Sequence, residues 1–361
     1  MDKAVLILAK WNEPHTAALR WSLDRMGIPT RIAPDFSRVG QRISIHADDG
    51  GTHWWSDACP ETPRSIWFRR PEMPEPKQCM EADREFLTIQ WKLFQRNLFD
   101  LGTKLLDTLW INDPAAAYAA ESKLVQLQAA AELGIPFPDM VVTNHAEDVT
   151  RLIERWGQVI YKTFYPHSWV SRSEGTLYDL GVTLLDADSE LPEASIAMCP
   201  GIFQRYIEKT EDIRVTVIGD RIFAVRVLKH AGGAYLDWRQ KVLANETRVE
   251  MVQLPATWED HIRRLMKKLG IVIGCADLVV DQQGDMYFLE INQAGQFLFV
   301  EEKLPEVPLL RAMTAMLIQG RCDYSLDACD PVHFRDYKQS AEHQRVMDSY
   351  GEVALIASEE P

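Results

Sequence analysis

Three oxygen-bearing side chains interrupt an otherwise apolar hairpin in ADLVVDQQGDMYFLEINQAGQF, residues 276–297: Asp277, Glu290 and Asn292. Side chains alternate faces along a strand, so Glu290 and Asn292 point the same way, and an Asp on the neighbouring strand can reach that face. Two carboxylates and an amide oxygen suit Mg²⁺, which favours hard oxygen ligands and often sits on a substrate phosphate. The alternative is the solvated face of an ordinary hairpin. Lys162 lies inside the apolar run QVIYKTFYP. An ammonium buried without a partner costs several kcal/mol, on the order of the penalty for any unpaired buried ion. Lys162 therefore meets an anion there, or snorkels from a sheet edge. Lys123, in AAAYAAESKLVQLQAAAELG, is a second phosphate-binding candidate or a plain surface lysine. In FQRYIEKTEDIRVTV a strand end can offer backbone N–H and C=O groups to an adenine edge, or be simply a sheet with a turn. Arg214, Arg226 and Arg239 near one sheet surface suit the charge that develops in phosphoryl transfer.

The elements that must position these groups are legible from pattern. Ala4–Ala9 reads as a strand, Pro14–Met26 as a helix stopped by Gly27, and Thr30–Ala33 as a second strand. This strand–helix–strand opening suggests a parallel α/β domain. A hairpin pairs Arg42–His46 with Thr52–Trp55, and SIWFRRPEMP puts two arginines at a strand end. Glu81–Phe99 reads as a long helix with Phe86, Ile89, Leu93 and Asn97 along one stripe and charge opposite. Asp113 and Pro114 start a helix expected to run to Leu133. Strands are expected at Asp139–Thr143, Gln158–Phe164, Ile202–Ile207, Ile213–Ile218 and Arg221–Leu228, with a helix over Glu147–Trp156. Tyr165–Gly181 reads as a mobile loop. Thr257 and Asp260 resemble a capping box opening an amphipathic helix that ends at Gly270. Pro308–Gly320 is a last core helix, and the polar segment after Arg321 holds a short helix within Val332–Asp348.

The chain has 361 residues, 46% of them hydrophobic, enough for a large core or several lobes. Its formal charge of −14 argues against broad contact with nucleic acid or an anionic membrane. The six cysteines are scattered without a CxxC pair, so neither a zinc site nor a disulfide framework is indicated. Reduced thiols point to a cytoplasmic setting. The six-residue apolar run Ala4–Ala9 is too short for a signal peptide or a membrane span.

The order of lysine helix, lysine strand, hinge, arginines and then Asp…Glu-x-Asn resembles the ATP-grasp ligases, over roughly Asp113 to Glu302. Within that module and before it, the chain is similar to the ligases that mature graspetides, the microviridin-type macrocyclic peptides, which are related to the glutamate-adding ligases of ribosomal protein tails. The likeness rests on Trp67-Phe68-Arg69-Arg70-Pro71, on Leu109-Trp110-Ile111-Asn112, on Ile135-Pro136 with Thr143-Asn144, and on Glu290-Ile291-Asn292-Gln293-Ala294-Gly295-Gln296-Phe297. Gln293 stands where the family often has Pro, and Phe297 where it often has Trp.

The resemblance implies an α/β ATP-grasp fold: an N-terminal open-sheet (pre-ATP-grasp) domain at 1–112, a central α+β lobe at 113–201, a C-terminal α+β lobe at 202–320 and a tail at 321–361. It implies ATP phosphates held by Lys123 and Lys162, an adenine hinge at Gln204, Arg205 and Tyr206, and Asp212 beside the ribose. It further implies magnesium, as two ions, on Asp277, Glu290 and Asn292, and Arg226 with Arg214 or Arg239 facing the phosphoryl and acyl groups. The first domain lacks a Gly-x-Gly-x-x-Gly turn and is assigned no nucleotide. Arg69 and Arg70 are either functional or a structural pair joining two domains. The implied partner is a precursor peptide with a leader segment, without nucleic acid or membrane, and the implied assembly is a homodimer. Asp or Glu side chains of the peptide would be joined to Ser/Thr hydroxyls or Lys amines. Two other readings stay open: an amino-acid or dipeptide ligase of the glutamate-adding type, joining a free amine to a carboxylate, and a nucleotide-binding regulator without catalysis.

Overall fold

The protein is described by a computed structural model covering residues 3–32, 43–56, 62–71, 79–164, 168–170, 177–179, 182–229, 236, 238 and 247–354. Apolar β-rich segments at Val5–Leu8 and Ser65–Phe68 are buried on both faces, the pattern expected of a parallel sheet covered by helices. They form the centre of a four-stranded parallel sheet in the order Thr30–Ile32, Val5–Leu8, Ser65–Phe68, Leu109–Ile111. Helix Pro14–Arg25 covers this sheet, with Pro14 at its first position and the Glu13 side chain capping it. A separate hairpin pairs Ile43–Asp48 with Gly51–Ser56.

The middle sheet is antiparallel, in the order Thr183–Leu185, Val159–Lys162, Gly201–Arg205, Met140–Thr143. Strand Gly201–Arg205 is interior to it. A division at 201/202 therefore cuts a strand, and by pairing the middle unit extends through Arg205. The large sheet is antiparallel, in the order Thr247–Met251, Arg221–Lys229, Lys209–Ile218, Ile273–Asp281, Met286–Asn292. Helix Ala256–Leu269 packs Ile262, Leu265, Met266 and Leu269 on one face of that sheet. Gly270 ends the helix in the left-handed conformation. No side chain caps its start, where Pro255 precedes it, so the capping box expected at Thr257 and Asp260 does not form.

Several other sequence expectations are corrected. The helix starting at Pro114 is two helices, Pro114–Ala120 and Lys123–Glu132, because the Ser122 side chain caps a new N-terminus. Both pack with the large sheet: Ala120, Ala129 and Ala130 share a core with Ile213 and Ile262. Helix Arg84–Leu105 follows a 3₁₀ turn at Glu81–Asp83 and buries Gln95, Leu98, Phe99 and Gly102. Its stripe Phe86, Ile89 and Leu93 faces outward, since packing chose the adjacent face. Within the segment read as a loop, Ser168–Val170 pairs antiparallel with Leu177–Asp179; residues 165–167, 171–176 and 180–181 lie outside the described residues.

The segment after Arg321 is not a loose tail. Its helices Phe334–Lys338 and Ala341–Ala354 close over helix Pro14–Arg25. Tyr337 is 1% exposed and meets Trp21 edge-on, while Glu342 pairs with Arg20. Helix Leu309–Gln319 lies in the same core, through Ser22 Oγ to Thr314 Oγ1 at 2.8 Å and Ser65 Oγ donating to Leu317 O at 2.7 Å. Sequence-distant ends thus build one core around the first sheet. Tyr337→Ala is expected to lower the free energy of unfolding in urea by about 3–5 kcal/mol, the usual cost of emptying a buried aromatic site. A loss below about 0.5 kcal/mol, normal for a solvated surface position, would mark this segment as a true tail.

Candidate active site

The large sheet leaves one face free of helix Ala256–Leu269, and the polar residues gather there. Register pairs Arg214 with Asp277 and Asp277 with Glu290, so three strands present one row of charged side chains. The next row is Thr216, Cys275 and Asn292. A register shift after Asp277 leaves Leu289 as the extra residue on its strand, a bulge that brings Glu290 opposite Asp277. Arg214 Nη1 donates to Asp277 Oδ1 at 2.8 Å, and both side chains are only 5% exposed. Arg214 Nη2 donates to Gln296 O at 2.9 Å, and its guanidinium lies over the Trp238 ring at 5.8 Å.

Lys123 Nζ contacts Glu290 Oε2 from the first turn of helix Lys123–Glu132. One turn on, Gln126 fixes how that helix meets the strand. Its Oε1 accepts Ile291 N–H at 2.9 Å, and its Nε2 donates to Ile291 O at 2.8 Å and Ala120 O at 2.7 Å. A buried amide thus replaces a strand partner for the residue between Glu290 and Asn292. Asn292 Oδ1 accepts the Ala294 N–H at 3.0 Å.

In the middle sheet Lys162 Nζ donates to the buried Gln204 Oε1 at 2.8 Å. The backbone N–H groups of Arg205 and Tyr206 are committed to Asp139 O (2.8 Å) and Gln158 O (3.2 Å). These two N–H donors are therefore taken within the sheet. The N–H groups of Ile207 and Glu208, just beyond, make no hydrogen bond among the described residues. Asp212 lies on the Arg214 face but is buried, with Oδ1 accepting Lys209 Nζ at 2.8 Å. The Oδ1 atom thus serves an internal pair, and Lys209 is a third lysine that pattern reading passed over.

Arg226 is separated from Arg214. It pairs across strands with Ile213, hence on the opposite, helix-covered face, where Glu250 (3.2 Å) and Glu211 (3.5 Å) neutralise it. The alternation of Arg226 with its apolar neighbours was visible in sequence; the partner register was not. Arg239 lies outside the described residues.

The loop 293–298, directly after Asn292, is held from three sides. Arg69, 2% exposed, forks Glu13 at 2.9 and 3.1 Å and donates to Ala294 O at 3.2 Å and Gly295 O at 3.4 Å. His15 Nε2 accepts Phe297 N–H at 3.1 Å, while Nδ1 faces Glu13 Oε1 at 3.1 Å. Gln293, in place of the family's proline, donates to Glu121 Oε1 at 3.0 Å and meets Asn112. Asn112 in turn bonds the backbone of Val272 and Ile273. Gly295 has no room for a side chain, since a Cβ there would stand 2.6 Å from that of Cys275. Glu13 and His15 carried no motif that could single them out.

Two carboxylates in register with an amide oxygen beside them fit a magnesium ion. Asp277 and Glu290 would hold it, with Asn292 adding a neutral donor. Among the described residues no three His, Cys, Asp or Glu side chains gather as a cage. Mg²⁺ that keeps water and phosphate oxygens in its shell needs only one or two carboxylates.

Burial and the charge of Arg69 push His15 down to about 4, against its bond to Glu13, so its ring is neutral at pH 7. Burial opposes ionisation of Glu13, but the His15 hydrogen bond and Arg69 outweigh it and hold the carboxyl far below its usual range. The unfolded chain takes up the histidine proton first as pH falls. Stability from His15 is complete above its ordinary value of 6.5 and is lost as pH drops toward 4. Urea titrations at pH 7 and 4.5 are expected to differ by on the order of 3 kcal/mol, and His15→Gln to flatten that slope. Equal stability of the native protein at both pH values would show that His15 accepts its proton in the fold. Gln126→Leu, which leaves buried Ile291 groups unmet, is expected to cost about 2–4 kcal/mol in the same titration.

No family model matches the chain. It is 28% identical over 171 residues to the D-alanine–D-alanine ligases of Burkholderia orbicola and Burkholderia ambifaria, covering 45% of this chain and 53% of each relative. The chain thus spans about half the length of the curated relatives it matches. Among solved structures it resembles a RiPP-associated ATP-grasp ligase of Chryseobacterium gregarium in complex with ADP and a leader and core peptide. That match has a TM-score of 0.76 at 20% identity, over 88% of this chain and 96% of the other. The macrocyclase MdnC of Microcystis aeruginosa, bound with the precursor peptide MdnA, gives 0.69 at 20% identity, over 87% and 99%. The ligase PsnB, complexed with minimal precursor, Mg and ADP, gives 0.67 at 20% identity, over 87% and 98%. With the three sheets, the charged row and these likenesses together, the fold of this chain is the ATP-grasp fold.

Proposed function

We propose that this protein is an ATP-dependent carboxylate ligase acting on a ribosomally made precursor peptide. The observation that carries the reading is the row Arg214–Asp277–Glu290 closed by Lys123, with Asn292 beside it. Cations and carboxylates meet there in balance, as a site for both a polyphosphate and a divalent ion requires. The solved structures it resembles were complexed with leader, core or precursor peptides, and some with ADP and Mg, which supports a peptide substrate and these ligands.

In this reading an Asp or Glu carboxylate of the peptide attacks the γ-phosphorus of ATP. The β–γ bridging bond breaks, giving ADP and an acyl phosphate. A Ser or Thr hydroxyl, or a Lys amine, then attacks the acyl carbon; phosphate leaves, and an ester or amide closes a ring. Bound magnesium, on Asp277, Glu290 and Asn292, would offset phosphate charge. Lys123 and Lys162 hold the phosphates, and Arg214 faces the transferred group. No protein nucleophile is needed, because positioning and electrostatics supply the rate. The leader segment, a homodimer and a cytoplasmic location belong to the same proposal.

A second reading is favoured by the D-alanine–D-alanine ligase relatives: the same acyl-phosphate chemistry joining two free amino acids. Mass spectrometry of the peptide encoded beside the gene, incubated with protein, ATP and Mg²⁺, separates the two. Ring closure removes the mass of one water per ring. Glu290→Ala and Lys123→Ala are each expected to reduce the rate by about 10²–10³, the usual cost of one preorganised electrostatic contact. An unchanged peptide together with phosphate release on mixed amino acids would establish the second reading.

A further inference from the structure

We propose that Arg70 receives the carboxylate of the peptide substrate, at the carboxyl edge of the N-terminal sheet, where its strands end beside the loop 293–298; this rests on the ligase reading above. The first strand, Val5–Leu8, has its successor Thr30–Ile32 on one side and Ser65–Phe68 on the other. The chain therefore reverses its direction of build between Val5–Leu8 and Ser65–Phe68. Open α/β sheets bind ligands outside the carboxyl ends of their strands at such a switch point. Arg69 and Arg70 are the first two residues beyond the end of Ser65–Phe68.

The fold treats the two arginines oppositely. Arg69 is buried, and its donors are spent on Glu13 and on the carbonyls of Ala294 and Gly295. Arg70 is exposed and makes no hydrogen bond or ion pair among the described residues. Among the described residues, the opposing charges that reach it belong to Glu13 and Glu121. Glu13 is engaged by Arg69 and His15, and Glu121 by the Gln293 amide. The result is a guanidinium whose bidentate fork is unmet among the described residues, on a rim made more positive by Arg69, and a carboxylate matches that fork in shape and charge.

The backbone adds an independent observation. Arg70 has φ of 45°, and among the described residues it is the one non-glycine residue with positive φ. Holding a Cβ-bearing residue there costs about 1–2 kcal/mol, which glycine would not incur. Strain retained for a long charged side chain points to a use for that side chain at that place. The location agrees: Glu121, whose charge reaches Arg70, hydrogen-bonds Gln293, the residue after Asn292. The turn Ala9–Glu13 on the same edge contains no glycine, so it offers no glycine-lined backbone cradle for a phosphate. A peptide carboxylate suits the rim better than the nucleotide does.

The test compares wild type, Arg70→Gly and Arg70→Lys on the acidic precursor peptide of the mass assay and on its counterpart with Asn and Gln in place of Asp and Glu. Arg70→Gly is expected to fold with an equal or higher Tm, since it relieves the left-handed position. Its KM for the peptide should rise at least tenfold while the KM for ATP stays within twofold. Its binding preference for the acidic peptide over the amide counterpart should shrink by the same factor, and Arg70→Lys should recover part of it. An unchanged peptide KM in Arg70→Gly, or a rise in the ATP KM instead, overturns the assignment while the ligase reading stands. A wild-type protein that modifies no peptide overturns both.

Discussion

A guanidinium can be buried only if nearly all its donors find acceptors, and two buried guanidiniums set the terms for this molecule. Arg69 reaches from the N-terminal sheet and Arg214 from the large sheet, and both end on carbonyls of the loop 293–298. Between them they bond Ala294, Gly295 and Gln296, while each also meets a carboxylate, Glu13 or Asp277. The loop conformation follows from those demands. Gly295 must lack a side chain because Cys275 and Arg214 crowd it. Since the loop begins one residue after Asn292, the same contacts orient the end of the acidic strand.

This arrangement explains why sequence-distant segments share one core. A loop clamped between two sheets needs both sheets fixed relative to it. Helix Leu309–Gln319 packs against Pro14–Arg25, and helices Phe334–Lys338 and Ala341–Ala354 close over the outer side. Asn112 adds a fully buried polar tie from the last parallel strand to Val272 and Ile273, where the strand bearing Asp277 begins. Each tie is satisfied at both ends, which lets polar groups sit in the interior without the penalty of an orphaned donor.

Charge balance within the candidate site follows a similar logic. Arg214 faces Asp277 and Lys123 faces Glu290, so neither carboxylate is left without a counter-charge. Gln126 sets the spacing by standing in for a strand neighbour, and one helical turn then delivers Lys123 to Glu290. A neutral amide does this without adding charge to the row.

The sequence alone determined what depends on local periodicity and on residue type. The alternation that exposes Glu290 and Asn292 on one face, the lysine inside the apolar strand ending at Lys162, and the Pro and Gly punctuation of Pro14–Arg25 and Leu309–Gln319 are all intrinsic to short stretches. They sufficed for the sheet-and-helix order and for the resemblance that led to the ATP-grasp fold. Only the tertiary structure decided partners. Register sent Arg226 to Glu211 and Glu250 on the far face and brought Arg214 to Asp277, since which strands pair is not encoded within either strand. Packing turned Phe86, Ile89 and Leu93 outward and drew Tyr337 inward, because a stripe buries itself only if another surface arrives to cover it. Glu13 and His15 show the limit most clearly: their partners lie 56 residues away at Arg69 and 282 residues away at Phe297, a contact that no local pattern can announce.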